Sequence, residues 1–391
     1  MRKVITDKKL INELLSRGVE EVIVKKDLEK KLRSGKRLRV KHGIDPTTKD
    51  LHIGYAVVYE KLRLLQEMGH QVVFLIGDFT ARFGDPTGQL EFRDLRTKKE
   101  TKEMAKNYLK QVGRILDLKK TEIRYNGEWY DKMSAEEILR LMSHFTVMRM
   151  LERDMFQERI KKSKEIGLHE PVYPVLQAYD SVMLKSDLTV IGTDQLFNEL
   201  QARKIQEDFK QTPQDLIAMK MLIGTDGKQK MSQSLENYIG ITESPEQQYG
   251  KVMSIPDDLI LHYFELATRV SLKKTEKKPR DAKAQLAREI VTIYHGKIAA
   301  QKAEREFNRV FREKQTPSKL KSYKLKAKKL SILDLLTKTK LAPSKAEAKR
   351  LVEQGGVKID GKVVKDWKKE ISIKPGIVLQ VGKRKFIKLS F

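Results

Sequence analysis

Five apolar residues in a row, Val72-Val-Phe-Leu-Ile76, constrain this chain more than any other feature. A run that is short, rich in β-branched and aromatic residues and free of polar alternation reads as a strand buried on both faces. Strands of that kind lie inside parallel sheets covered by helices on both sides. The neighbouring residues agree: residues 38–44 read as a second strand, and residues 54–68 as a helix that turns Val57, Val58, Leu65 and Met68 inward. The order strand, helix, strand makes a parallel crossover unit. The pattern returns further on. Ser134-Ala-Glu-Glu137 is a capping box that opens a helix, and Leu188-Thr-Val-Ile191 is a strand running through Gly192-Thr-Asp-Gln195 into another. The expected fold class is therefore α/β, a doubly wound, Rossmann-like parallel sheet. Ligands of such sheets bind beyond the carboxyl ends of the strands, where the loops at 43–55, 77–88 and 192–195 belong.

After residue 222 the strand signal fades. Ser244-Pro-Glu-Gln247 supplies a cap residue, a proline at the first helical position and a glutamine at the third, and residues 281–314 form a long, charged stretch of helical period. At roughly 150 residues per domain, 391 residues leave room for two or three domains. The expected boundaries are a sheet domain over 1–222, a helical domain over 223–315, a lysine-laden linker over 316–329 and a small α+β domain over 330–391.

Charge sharpens that division. The chain carries 80 Lys and Arg against 53 Asp and Glu, a net +27, and residues 324–391 alone hold 19 basic and 6 acidic residues. Nearly half of the surplus thus sits in about one sixth of the length, which implies a polyanionic partner. A merely solubilising tail would not need the apolar face of Leu341, Ala348, Leu351 and Val352, nor the β-rich stretches at 357–364 and 371–381 that follow it. The absence of cysteine excludes disulfides, thiolate nucleophiles and Cys-containing zinc sites. None of the seven histidines stands four residues from another, so no protein-bound structural metal is expected. The N-terminus has basic residues without an apolar run of signal-peptide length, and about 18 uncharged apolar residues never follow one another. A soluble, cytoplasmic protein with no membrane partner is expected.

Two loops are candidates for phosphate chemistry. In Gly43-Ile-Asp-Pro-Thr-Thr-Lys-Asp-Leu-His-Ile-Gly-Tyr55 a strand ends, turns on Asp-Pro and enters a helix, whose first N–H groups beside Gly54 can approach a phosphate closely while Thr47 and His52 donate to its oxygens. Alone, this is more commonly an ordinary strand-to-helix turn with a surface histidine. In Lys228-Gln-Lys-Met-Ser-Gln-Ser234, after Gly224-Thr-Asp-Gly227, lysines on a mobile loop can close over a triphosphate. Alone, it is equally a solvated loop. Tyr173, Gln177 and Asp180 share one helix face by their spacing of four and three, a pattern that also suits one packed aromatic beside two solvated polar groups. Asp194 is equally a helix cap.

Together, the His-Ile-Gly turn and, about 180 residues later, Lys-Met-Ser-x-Ser resemble the two signatures of class I aminoacyl-tRNA synthetases. Within that class Gly43-Ile-Asp-Pro-Thr47, Ile76-Gly-Asp78, Gly84-Asp-Pro-Thr-Gly88, the helix at 173–180, Gly192-Thr-Asp-Gln195 and Tyr249-Gly-Lys-Val-Met-Ser-Ile-Pro-Asp257 resemble the bacterial tyrosyl-tRNA synthetase family over essentially the whole chain. The resemblance implies a ligase that attaches L-tyrosine to tyrosine tRNA through a tyrosyl adenylate, using ATP whose Mg²⁺ comes with the substrate. It implies catalytic roles for Thr47, His52 and Lys230, and an ATP site made by Asp45, Gly54, Tyr55, Gly192, Asp194, Lys230 and Gln233. Asp180 would accept from the phenol, Tyr173, Gln177 and Asp85 would hold the ammonium, and Gln195 would lie near the carboxylate. The C-terminal module resembles a small RNA-binding fold of a ribosomal small-subunit protein, with Ser344, Lys345, Lys349 and Arg350 facing tRNA phosphates. Family members are homodimers, so a dimer-forming insertion is expected at about 90–185.

The chain departs from the family at three positions. Tyr55 stands where the first signature ends in histidine, Gln233 where the second has its second lysine, and Lys41 where one branch has a tyrosine on the substrate hydroxyl. Two further readings follow: a weakened synthetase relative that acts as an RNA-binding protein, and a tryptophanyl-type ligase.

Overall fold

Six strands build the N-terminal sheet: β1 (Val19–Ile23), β2 (Arg39–Ile44), β3 (Gln71–Ile76), β4 (Glu122–Tyr125), β5 (Leu188–Gly192) and β6 (Asp215–Met219). In the computed structural model, which describes residues 3–47, 50–86, 96–313, 315, 320–325, 327, 329–382 and 385–390, their spatial order is β1-β6-β5-β2-β3-β4. All neighbours are parallel except β1, which runs antiparallel along the edge of β6. The expected strands are β2, β3 and β5, each within one residue at either end. Val72 through Ile76 are all buried, as the unbroken apolar run requires.

From β2 the chain steps outward through β3 to β4, then returns to the other side of β2 for β5 and β6. The order therefore reverses between β2 and β5, and the loops leaving those two strands flank a crevice, the place where open α/β sheets bind ligands. Helix Ile53–Glu67 crosses β3 and β5 with Val57, Val58 and Leu65 buried. On a further apolar layer, Val73 and Leu75 pack with Trp129, Tyr130, Val175 and Ala178. The latter two belong to helix Tyr173–Leu184, which lies along helix Leu196–Asp208. The capping boxes at Ser134/Glu137 and Ser244/Gln247 open helices Ala135–Met142 and Pro245–Val252.

Residues 281–314 are not one helix. The stretch divides at Gly296 between helices Pro279–His295 and Lys297–Phe311. Gly296 has φ +85°, and an added Cβ would meet nothing within 4 Å, so backbone conformation and not space demands the glycine.

The chain forms two compact units, residues 1–300 and 301–391. The second contains β7 (Lys321–Lys324), β8 (Lys329–Ser331), β9 (Val357–Ile359), β10 (Lys362–Val363), β11 (Glu370–Ser372), β12 (Val378–Val381) and β13 (Lys385–Ser390). Five of these make a sheet of order β10-β9-β12-β13-β7, and β11 pairs with β8. Leu335, Leu336, Ala348, Val352, Val357 and Leu379 form its core. Helix Lys345–Glu353 leads through Gly355-Gly356 into β9. Part of the expected linker, residues 316–319, 326 and 328, lies outside the described residues. Within the rest, β7 pairs in parallel with β13. It is the last strand of that sheet, and at an edge only one side of the ladder must be satisfied, so a lysine-rich segment without alternation can still pair.

Candidate active site

The loops after β2 and β5 and the carboxyl end of β3 surround a cavity of about 310 Å³ within the first unit. That is the lower end of the ~300–1,000 Å³ typical of small-molecule sites. Gly77, just past β3, is required by proximity: a Cβ there would collide with the Asp45 carboxylate and with Thr80 Oγ1.

One end of the cavity is acidic. Asp45 accepts from Thr80 Oγ1 at 2.7 Å and from the Tyr173 hydroxyl at 2.9 Å. Burial, with the Asp85 charge adding to it, pushes its carboxyl up to about 7. Asp85 accepts from Gln195 Nε2 at 3.0 Å and faces Arg153 at 3.5 Å. Asp180 accepts from Trp129 Nε1 at 3.1 Å and Asn126 Nδ2 at 3.4 Å. Its carboxyl too is pushed up to about 7 by burial, against the pull of Lys41. Burial and the charges of Asp45, Asp85 and Asp180 keep the Tyr173 proton on its oxygen, so Tyr173 stays a donor. Three carboxyl groups around one hydroxyl favour a cation and a hydrogen-bond donor as ligand groups.

The other end suits an anion. His52 caps helix Ile53–Glu67, and its Nδ1 accepts from the Gly54 N–H at 3.2 Å. Burial foremost, then the Lys230 charge, pushes its pKa down to about 4. At neutral pH the ring is therefore uncharged, with its proton on Nε2 as a donor. Tyr55 lies against it at 4.4 Å between ring centroids. Thr47 accepts from Arg96 through its carbonyl, which leaves the Thr47 hydroxyl outside that bond. Lys230 lies 3.4 Å from Asp194 Oδ2. Backbone ties the first loop to the segment that follows the lysine loop: Ile53 N–H donates to the Ile239 carbonyl and Ile241 N–H to that of Leu51, both at 2.9 Å.

Thr47, His52, Gly54, Tyr55 and Lys230 thus line one cavity with Asp45, Asp85, Tyr173, Gln177, Asp180, Gly192, Asp194 and Gln195. Gln233 is not among the lining residues; its amide donates to the Asp50 backbone carbonyl. Thr48 and Lys49 of the first loop and Thr87 and Gly88 of the Gly-Asp-Pro-Thr-Gly motif lie outside the described residues. Ser344, Lys345, Lys349 and Arg350 belong to the second unit. Ser344 caps its own helix on Glu347 N–H, Lys345 pairs with Asp334 at 2.6 Å, Arg350 pairs with Glu347, and Lys349 stands 4.4 Å above the Trp367 ring. Among the described residues no cluster of three or more His, Cys, Asp or Glu could hold a metal ion, and no helix is long and apolar enough to cross a membrane.

Sequence reasoning passed over several groups of the site: Trp129 and Asn126 on Asp180, Thr80 on Asp45, and above all Glu199, the buried partner of Lys41, which the sequence marked only as a departure from the family. A lysine in the middle of a buried strand was the available signal. Its partner is 158 residues away, beyond the reach of any local pattern.

A parallel sheet with a turn after one central strand and a lysine loop beside it fits the resemblance to class I aminoacyl-tRNA synthetases. The family model for class I tRNA synthetases (W and Y) matches residues 33–312, and the S4 domain model matches residues 332–373. The tyrosine–tRNA ligase of Moorella thermoacetica is 46% identical over 96% of this chain and 94% of its own length. That of Thermotoga maritima is 47% identical over 96% of both. The chain belongs to the tyrosine–tRNA ligase family. In fold it is similar to the truncated Aspergillus nidulans mitochondrial tyrosyl-tRNA synthetase, at 24% identity and a TM-score of 0.65 over 78% of this chain and 95% of that one. The Archaeoglobus fulgidus tyrosyl-tRNA synthetase, solved with L-tyrosine, has 21% identity and a TM-score of 0.61 over 76% of this chain and 99% of that one.

Proposed function

We propose that this protein attaches L-tyrosine to tyrosine tRNA in two steps, and the observation that carries the reading is the single cavity in which the acidic and phosphate-binding ends meet. Tyrosine sits with its phenol on Asp180 and its ammonium among Asp85, Tyr173 and Gln177, while Gln195 lies near its carboxylate. ATP spans His52, Gly54 and Tyr55, with Gly192 and Asp194 at the ribose and Asp45 close by. The tyrosine carboxylate attacks the α-phosphorus in line, a new P–O bond forms as the bond to pyrophosphate breaks, and the adenylate results. No covalent enzyme intermediate is needed; positioning and charge stabilisation lower the barrier. Thr47, His52 and Lys230 hold the phosphates as charge develops, and Mg²⁺ arrives bound to ATP. A 2′-hydroxyl of the tRNA's terminal adenosine then attacks the tyrosyl carbonyl and releases AMP.

Ser344, Lys345, Lys349 and Arg350 meet tRNA phosphates, with Lys345 and Arg350 exchanging Asp334 and Glu347 for the phosphate backbone. The exposed apolar residues Leu139, Val147, Met148 and Leu168, all within the insertion at about 90–185, support a homodimer formed through that insertion. Sedimentation of the purified chain should give twice the mass of one chain, 45.3 kDa; a single-chain mass defeats this part.

The first experiment is tyrosine-dependent ATP–pyrophosphate exchange, with phenylalanine and tryptophan as controls and Asp180→Ala as comparison. Exchange with tyrosine alone, lost in the variant, is the expected outcome. Folded protein that binds tRNA but exchanges nothing would favour the RNA-binding reading, and exchange with tryptophan the tryptophanyl one.

A further inference from the structure

An ion pair is buried at the wall of the cavity that carries Gln177. Lys41 on β2 and Glu199 on helix Leu196–Asp208 are each 1% exposed, and Lys41 Nζ lies 3.0 Å from Glu199 Oε1. Both line the cavity. Lys41 also donates to Ser181 Oγ at 2.6 Å, beside Asp180 in the chain. Glu199 accepts from the Gln177 side-chain amide at 2.8 Å through Oε1, and from that of Gln214 at 2.7 Å through Oε2. A well-packed apolar pair of similar volume stabilises a fold as well or better, so stability does not account for these charges.

What the pair does fix is the direction of one amide. With its NH₂ donated to Glu199, Gln177 keeps its carbonyl oxygen for other partners. That oxygen accepts from Asn198 Nδ2 at 2.7 Å and has a second lone pair. The same Asn198 NH₂ reaches Gln195 Oε1 at 3.2 Å, and the Gln195 NH₂ donates to Asp85 at 3.0 Å. A row of three amides is thus anchored by a carboxylate at each end, and neither glutamine can turn over without losing a bond to its carboxylate.

We propose that Glu199 and Lys41 are positioning residues for the amino-acid subsite: Glu199 holds the Gln177 carbonyl toward the substrate ammonium, and Lys41 balances Glu199 so that the buried carboxylate does not attract the ammonium itself. The inference rests on the tyrosine-binding reading above. Without the Glu199 carboxylate only Asn198 still fixes the Gln177 amide, and rotation would turn its NH₂ toward the cation. Because the ammonium takes no part in the reaction, the loss falls equally on ground and transition states, raising KM while leaving kcat in place.

The test compares three ligands on Glu199→Gln, a substitution that keeps size and removes charge. L-tyrosine has phenol, ammonium and carboxylate; tyramine lacks the carboxylate; 3-(4-hydroxyphenyl)propionate lacks the ammonium. In pyrophosphate exchange, KM for tyrosine and Ki for tyramine should both rise about tenfold, a change well resolved by binding constants. Ki for the propionate, KM for ATP and kcat should stay within about threefold. An unchanged tyrosine KM overturns the proposal, and so does an equal loss for the propionate, the sign of a generally disturbed pocket. Should the single variant fold poorly, Lys41→Met/Glu199→Gln removes both charges together; because Lys41 also favours the ionised Asp180, all three ligands then weaken through the phenol, and tyrosine and tyramine must still lose about tenfold more than the propionate. Failure of the tyrosine reading itself would show separately, as absence of tyrosine-dependent exchange in the unsubstituted protein.

Discussion

The role proposed for Asp180 pulls against its contribution to stability. Its carboxyl moves from 3.8 up to about 7 on folding because burial penalises the charge, so the fold holds that proton more tightly than the unfolded chain does. Its contribution to stability is complete below about pH 4 and is lost as pH rises through about 7. Asp180→Asn, neutral at every pH, should therefore melt several degrees above the unsubstituted protein at pH 8, a gain of order 1–4 kcal/mol. The gain should shrink towards pH 5, where Asp180 is neutral anyway; melting curves without tyrosine that differ equally at both pH values would refute this. Function runs the other way. In the proposed function the phenol needs Asp180 as an ionised acceptor, with Lys41, Trp129 and Asn126 as groups that favour its charge. The tyrosine kcat/KM of the free enzyme should fall below about pH 7, by up to about tenfold per pH unit. In Asp180→Asn that limb should vanish along with most of the activity.

The lysine loop shows what a single element contributes. Lys230 lies 3.4 Å from Asp194 and lines the cavity, whereas the Gln233 amide is bonded to the Asp50 carbonyl outside the lining residues. A neutral amide holding two loops together adds no charge to a transition state, so in the proposed reaction the cationic role falls to Lys230. Lys230→Met should lower pyrophosphate exchange by about 100-fold or more, the cost of removing one preorganised donor from developing charge. Gln233→Ala should cost less than about tenfold, mostly as a higher KM for ATP. Steady-state exchange on both variants separates the roles, and equal losses would place the charge effect elsewhere. Elements like this were legible in the sequence because their signals are local: the buried run at 72–76, the capping serines 134 and 244, and the four-and-three spacing of Tyr173, Gln177 and Asp180. The break at Gly296 was not, since a glycine within a helical period is tolerated until its φ is known. Nor was β7, whose lysines satisfy an edge strand without alternation. The Lys41–Glu199 pair was hidden for a different reason: burial of a charge is decided by which helix packs on which strand, and no spacing along the chain records that.

At the scale of the whole molecule, charge and chemistry are divided along the chain. Every residue lining the cavity lies between Lys41 and Ser232, while residues 324–391 carry 19 basic against 6 acidic residues. In the proposed function, tyrosine activation involves small ligands held inside the first unit, and tRNA binding draws on a diffuse cationic surface whose strength depends on counterion release. The two activities should therefore answer differently to salt. Raising the concentration from 50 to 200 mM should weaken tRNA binding by orders of magnitude, and change pyrophosphate exchange little. Replacing both Lys345 and Arg350 by alanine should flatten the slope of log affinity against log salt by about 2, since each phosphate contact contributes roughly one. Exchange should be unaffected. These side chains are paired with Asp334 and Glu347 in the free protein, so part of their attraction to phosphate goes to replacing those partners, and the change in affinity at any single salt concentration should be modest. The slope is thus the informative quantity. A double variant whose slope matches the unsubstituted protein would move the tRNA contact away from helix Lys345–Glu353, and a parallel fall in exchange would mean that the two units do not work as separately as their charge suggests.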